Sequence, residues 1–212
     1  MITAKFNCDG SQLATCSLDN TMNIYTTTPP STSSTSNPSP SFTFLHKLEG
    51  PSEEILFLHW HHTHAMILLC GGYDKLIWML NTSTGTILNA FSCHSDIISD
   101  GGFTPSGKAI YSSSHDNTLH ITHPSTGKFK TINSIKPLRG VINTCLCDIS
   151  RFLIIAATTQ GSLFFANYQT LKVIYKNLCG GALCVFFFGF FEGFWFFFCF
   201  FWFFMVLGAF CV

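Results

Sequence analysis

Two stretches decide how this chain is read: DGSQLATCSLDNTMNIY at 9–25 and PSGKAIYSSSHDNTLHIT at 105–122. Laid over one another, Gly10 meets Gly107 and Asp19-Asn20-Thr21 meets Asp116-Asn117-Thr118, with nine residues from Gly to Asp in both. Self-similarity at a distance is the first thing to test in a sequence, because a repeat fixes the architecture before any local motif is trusted. A third copy, HAMILLCGGYDKLIWMLN at 64–81, places Asp74 in the same slot, and a fourth, RFLIIAATTQGSLFFAN at 151–167, places Gln160 there. Asp74, Asp116 and Gln160 are 42 and 44 residues apart, while Asp19 and Asp74 are 55 apart.

Within each copy a run of β-branched and large apolar residues leads to a polar turn at the Asp, and then to an alternating run such as TLHIT or NTMNIY. That is the pattern of strand, tight turn, strand. A period near 43 with about four strands per unit fits the blades of a β-propeller, whereas helical repeats of that length show apolar spacings of three and four over longer stretches. The expected fold is therefore all-β.

The excess of 55 over 43 has a visible source. TTTPPSTSSTSNPSPS at 26–41 holds only Ser, Thr, Pro and one Asn, too polar to bury anything in exchange for its own ordering, so it is expected to be a linker. The resulting division is a partial first blade at 1–26, a Ser/Thr/Pro linker at 27–43, and blades at 44–91, 92–132 and 133–178. With no strand expected ahead of the first repeat, this makes about three and a half blades. A ring left open exposes strand edges and one blade face, so poor solubility is expected of the isolated chain.

The third unit, SCHSDIISDGGFTPSGKAIYSSSHDNTLHITHPSTGK at 92–128, resembles the WD-repeat family. Cys93-His94 sits where that family has Gly-His, Ser114 where it has a strand hydroxyl and Asp116 where it has a turn aspartate. The resemblance implies that His94, Ser114 and Asp116 share a structural hydrogen-bond network, with Asp19 and Asp74 as its counterparts in other units. The Trp that completes the family pattern is replaced by Tyr25, Leu80, Thr122 and Ala166. Thr in place of a buried Trp is expected to cost on the order of 3 kcal/mol.

A narrower resemblance over 45–127, carried by LEGPSEEILFLHWHH, GGYDKLIWMLNTSTG and DGGFTPSGK, is to WD-repeat chaperones that hold a ribosomal protein before assembly. It implies a basic protein segment as partner. Glu49, Glu53 and Glu54 are the acidic residues gathered near a blade entry that would meet it. The function expected is that of a protein-binding scaffold or chaperone.

Composition narrows the alternatives. With 11 basic and 11 acidic residues among 212, the net charge is zero, and no basic face points to nucleic acid. MITAKFNCDGSQ has no apolar core and no small-residue cleavage site, which points to the cytoplasm, where the ten cysteines are expected to be reduced and packed rather than paired. There is no C-x-x-C, and Cys145 and Cys147 share a strand face as packed residues commonly do.

No G-x-S-x-G, S-x-x-K or P-loop occurs, and Ser114-His115-Asp116 alternate faces on a strand, so no enzyme, cofactor or resident metal is expected. The remote alternative is a His-cluster metal protein built on His59-Trp60-His61-His62-Thr63-His64, in which His59 and His61 align on one face but lack further ligands at a useful spacing.

The tail at 179–212 is of another kind. It holds 14 of the 24 phenylalanines and a single charge, Glu192. The 30 residues at 183–212 exceed what a bilayer-spanning helix needs, and Lys172 and Lys176 precede them with no Lys or Arg after. One reading is a helical C-terminal membrane anchor with the blades on the cytoplasmic side. The other is that Phe codons are T-rich, so that an intron read through or a shifted frame generates such a peptide just where the repeats stop.

Overall fold

The computed structural model describes residues 3–28, 41–132, 140–148, 152–178, 185–191 and 194–200, and every regular element among them is a strand. Four antiparallel sheets of four strands follow one another along the chain. The first holds β1 (Thr3–Phe6), β2 (Gln12–Cys16), β3 (Met22–Thr28) and β4 (Ser41–Leu48), and the second β5 (Ile55–Trp60), β6 (Ile67–Gly72), β7 (Ile77–Asn81) and β8 (Thr86–Phe91). The third holds β9 (Ile98–Phe103), β10 (Ile110–Ser114), β11 (Leu119–Thr122) and β12 (Phe129–Thr131), and the fourth β13 (Ile142–Asp148), β14 (Leu153–Thr158), β15 (Ser162–Asn167) and β16 (Lys172–Leu178). Strands are ordered in each sheet as they are in sequence, an up-and-down meander consistent with WD-repeat blades.

The first strands bring the sheets together: β1 packs on β5, β5 on β9 and β9 on β13. Alternation then assigns each strand one face to the sheet before and one to the sheet after. Between the first and second sheets lie Ala14, Cys16, Met22 and Ile24 against Leu58, Trp60, Leu68 and Leu80. Phe57, Leu69 and Ile77 meet Phe103 and Ile110 across the next junction, and Tyr111 and Leu119 meet Ile154, Ala156, Phe164 and Ala166 across the third. Of the replacements at the Trp position, Leu80, Thr122 and Ala166 lie on the face toward the preceding sheet and are fully buried there. Cys145 and Cys147 both face the third junction, where burial raises their thiol pKa, that of Cys147 to about 12.

Two divisions expected from the sequence are corrected. The first sheet has all four strands: β1 supplies the strand thought missing, and β4, assigned in part to the second blade, pairs along β3 from Met22 opposite Leu48 to Thr28 opposite Ser41. Four complete sheets thus replace three and a half. The reason is local. Thr26–Thr28, Ser41 and Thr43 share the linker's polarity, but Thr is β-branched and pairs well across strands, and the Thr26 and Thr43 hydroxyls hydrogen-bond one another. The remainder of the linker, 29–40, lies outside the described residues and falls at the β3–β4 tip. The same tip in the other three sheets is a short turn at Gly85, Gly127 and Leu171, each at positive φ.

The tail differs from expectation as well. Val185–Phe191 and Phe194–Phe200 form the strands β17 and β18, paired antiparallel from Val185 opposite Phe200 to Phe191 opposite Phe194, where a helix was expected. An unbroken apolar run carries no period to separate helix from strand, and Phe and Trp favour the extended backbone. Among the described residues no helix is long and apolar enough to cross a membrane.

Candidate interaction surface at the turn end of the sheets

The turns between second and third strands, and the loops leading into β5 and β9, lie at one end of the sheets. Three of the turns are built alike. Asp19 Oδ1 accepts the amide of Thr21 at 3.1 Å, Asp74 Oδ1 that of Leu76 at 3.1 Å and Asp116 Oδ1 that of Thr118 at 2.8 Å. The side chain thereby closes a ring with its own backbone two residues on. The next residue takes the left-handed conformation, with φ of 64° at Asn20, 64° at Lys75, 62° at Asn117 and 75° at Gly161. Asn tolerates that region better than most residues, and Gly needs no tolerance. Gln160, which cannot close the same short ring, is followed by the glycine.

Beyond this shared frame the sheets diverge. In the third, the loop before β9 reaches back to the turn: His94 Nδ1 lies 3.1 Å from Asp116 Oδ2, and the Ser95 amide donates to the same oxygen at 3.0 Å. The other imidazole nitrogen, Nε2, meets Ser112 Oγ at 2.8 Å. Ser112 therefore stands where Ser114 was expected. Ser114 Oγ instead donates to the carbonyl of Asp96 at 3.0 Å and accepts the Asp116 amide at 3.1 Å. Ser112 lies within the regular part of β10, whereas Ser114 ends the strand beyond a register shift at Ser113/Ser114, where its hydroxyl serves the turn. Burial works against ionisation of Asp116, but bonds from His94, Thr118 and Ser95 prevail and hold its carboxyl well below the usual range.

A second imidazole, unanticipated, joins this cluster. His120 Nε2 lies 2.9 Å from Thr118 Oγ1 and Nδ1 3.1 Å from Thr131 Oγ1, with its ring edge-on to His94 at 4.3 Å between centroids. Its pKa falls to about 4, first through burial and then through His94. Among the described residues, the donor atoms of His94, Asp116 and His120 lie within 4.8 Å of one another.

In the second sheet Asp74 has no histidine partner. A tryptophan takes that part: Trp78 Nε1 donates to Asp74 Oδ2 at 2.7 Å. In the first sheet Asp19 is held by Thr21 through both amide and hydroxyl, at 3.1 and 2.6 Å. The hydroxyl bond is the leading cause that lowers its pKa.

His59 and His61 of the histidine run both approach Phe103, with centroid distances of 6.3 and 4.5 Å. His61 Nδ1 accepts the amides of Thr63 and His64 at 3.2 and 3.1 Å, capping the β5–β6 turn. His59 is buried against Phe103 and Tyr111, and that burial lowers its pKa to about 4.

Of the three glutamates, Glu53 and Glu54 line a shallow groove with Leu18, Asn20, Ser52 and Tyr73, between the turns of the first two sheets. Asn20 Nδ2 ties it together by donating to the Ser52 carbonyl at 3.0 Å. Leu18 and Tyr73 are 56% and 38% exposed there, an apolar and an aromatic side chain flanked by carboxylates. Glu49 is exposed just before the groove, and Lys75 is exposed in the Tyr73 turn, so the charge is mixed at its rim.

The family model for the WD domain, G-beta repeat, matches residues 2–26 and 85–122. No curated protein matches the chain. The second match runs from β8 through β11, so the sequence repeat joins the outer strand of one sheet to three strands of the next, and the loop carrying His94 lies inside it. Four consecutive four-stranded meanders and the two matched segments are consistent with WD-repeat blades.

Proposed function

We propose that this chain is a non-catalytic, cytoplasmic scaffold that binds a basic protein segment across the turn end of its first two sheets. The observation that carries the reading is the groove in which Glu53 and Glu54 flank exposed Leu18 and Tyr73. Its walls stand on turns fixed by Asp19 and Asp74, so little ordering is needed on binding. WD repeats commonly bind other proteins, which favours a scaffold over an enzyme.

The narrower form of the proposal is a chaperone for a ribosomal protein, resting on the resemblance of 45–127 to angio-associated migratory cell protein and its fungal counterpart. Charge reversal of Glu49, Glu53 and Glu54 together tests the electrostatic part. Binding of the full chain to a Lys/Arg-rich ribosomal-protein segment, measured by fluorescence anisotropy, is expected to drop at least tenfold and to lose most of its salt dependence. Binding that survives the reversal unchanged removes the acidic contact. A Leu18→Asp, Tyr73→Ser variant that also binds normally removes the groove.

A further inference from the structure

We propose that His94, His120 and Asp116 form a zinc site in the third sheet. At corresponding turn-plus-four positions the four sheets carry Asn23, Trp78, His120 and Phe164, and in the third the imidazole lies beside His94 and the turn carboxylate.

The geometry is that of a site whose outer contacts are already in place. His94 Nε2 and His120 Nδ1 point away from the centre and are held by Ser112 Oγ at 2.8 Å and Thr131 Oγ1 at 3.1 Å. That leaves His94 Nδ1, His120 Nε2 and Asp116 Oδ2 facing inward around Thr118 Oγ1, which is 3.1 Å from the first nitrogen and 2.9 Å from the second. Imidazole ligands whose far nitrogen is fixed by a hydrogen bond are the usual construction of zinc centres.

Zinc bonds of 2.0–2.1 Å in a tetrahedron put ligand atoms about 3.3 Å apart. His94 Nδ1 and Asp116 Oδ2, at 3.1 Å, already match. The widest separation permitted by the cluster, 4.8 Å, closes by about 1.5 Å if the His120 ring tilts inward. The ion takes the place now filled by the Thr118 hydroxyl, which donates to Asp116 Oδ1 at 2.6 Å, and a water takes the fourth corner once that side chain turns away. Four oxygen and nitrogen donors with two imidazoles suit zinc, and cobalt is its spectroscopic substitute.

Calorimetric titration of the full chain with Zn²⁺ at pH 7.5 is the test. One equivalent is expected to bind, and the Co²⁺ form is expected to show the visible absorption of a tetrahedral ion. His120→Phe, which installs the residue of the fourth sheet, is expected to weaken binding at least a hundredfold. Thr131→Val, which keeps all ligands and removes only the hydroxyl on His120 Nδ1, is expected to weaken it 10- to 100-fold. A His62→Ala, His64→Ala variant of the separate histidine run is expected to bind normally. The proposal is overturned if the wild-type chain takes up no saturating equivalent, if His120→Phe binds as well as wild type, or if the His62/His64 variant alone loses the ion. Should His120→Phe lose its near-ultraviolet dichroism, Thr131→Val decides: unchanged affinity overturns the site.

Discussion

The turns of the first and third sheets begin from the same three residues, Asp-Asn-Thr, and end differently. Asp19 and Asp116 close the same ring onto the amide two residues ahead, and Asn20 and Asn117 take the same left-handed conformation. Yet Asp19 keeps its bonds within the turn, while Asp116 also receives His94 and the Ser95 amide from the loop before β9. The local motif therefore builds the turn, and a distant histidine determines whether the turn is locked to the strand that enters the sheet. Trp78 in the second sheet is a third solution, in which the lock comes from the following strand.

The largest effect that can break this comparison is expected at His94. Its side chain is fully buried beside Asp116, and His94→Ala leaves both Asp116 and Ser112 short of a partner. A loss of about 3 kcal/mol is expected in urea unfolding of the full chain. A loss below about 1 kcal/mol would place the third turn with the first.

Next comes Trp78→Phe, which keeps the ring and removes the N–H to Asp74. About 1 kcal/mol is expected by the same measurement, and no change would mean that the second turn stands without its lock. Asp19→Ala should be smallest, because the carboxylate serves one exposed turn. An equal cost at Asp19 and Asp116 would erase the distinction between the two sheets.

Acidity sharpens the comparison further. The folded pKa of Asp116 lies below the ordinary 3.8, so its contribution is present above that value and lost as the pH falls below it. His120 and His59 behave in the opposite sense: with pKa lowered from 6.5 to about 4, they stay neutral in the folded chain while the unfolded chain takes up protons. Stability is therefore expected to decline from pH 6.5 to 4, and His120→Phe to flatten part of that slope in denaturation profiles.

Much of the fold was legible because the repeat writes its turn into short sequence. Gly10, Gly107 and the Asp slots are local requirements, and all three aspartates and the residues after them adopt the conformation that their spacing implied. What was illegible depends on chain distant in sequence or on composition that points two ways. β4 was hidden by a polar insert whose ends are strand. Ser112 and Ser114 are both hydroxyls two residues apart on one face, and only the register shift at the end of β10 separates their partners. His120 and Trp78 lie outside the family positions, so nothing in the pattern marked them as partners of the turn. The Phe-rich tail was read as a helix because hydropathy measures length and not backbone preference.

Amide hydrogen exchange on the full chain tests the central claim, four complete sheets with unequal locks, most directly. The account predicts that alternate amides of Phe42–Lys47 are protected like those of Thr86–Phe91, and that the Ser95 and Thr118 amides exchange far more slowly than that of Thr21. Free-peptide exchange across Phe42–Lys47 while Thr86–Phe91 stays protected, or equal rates at Thr21 and Thr118, would contradict it.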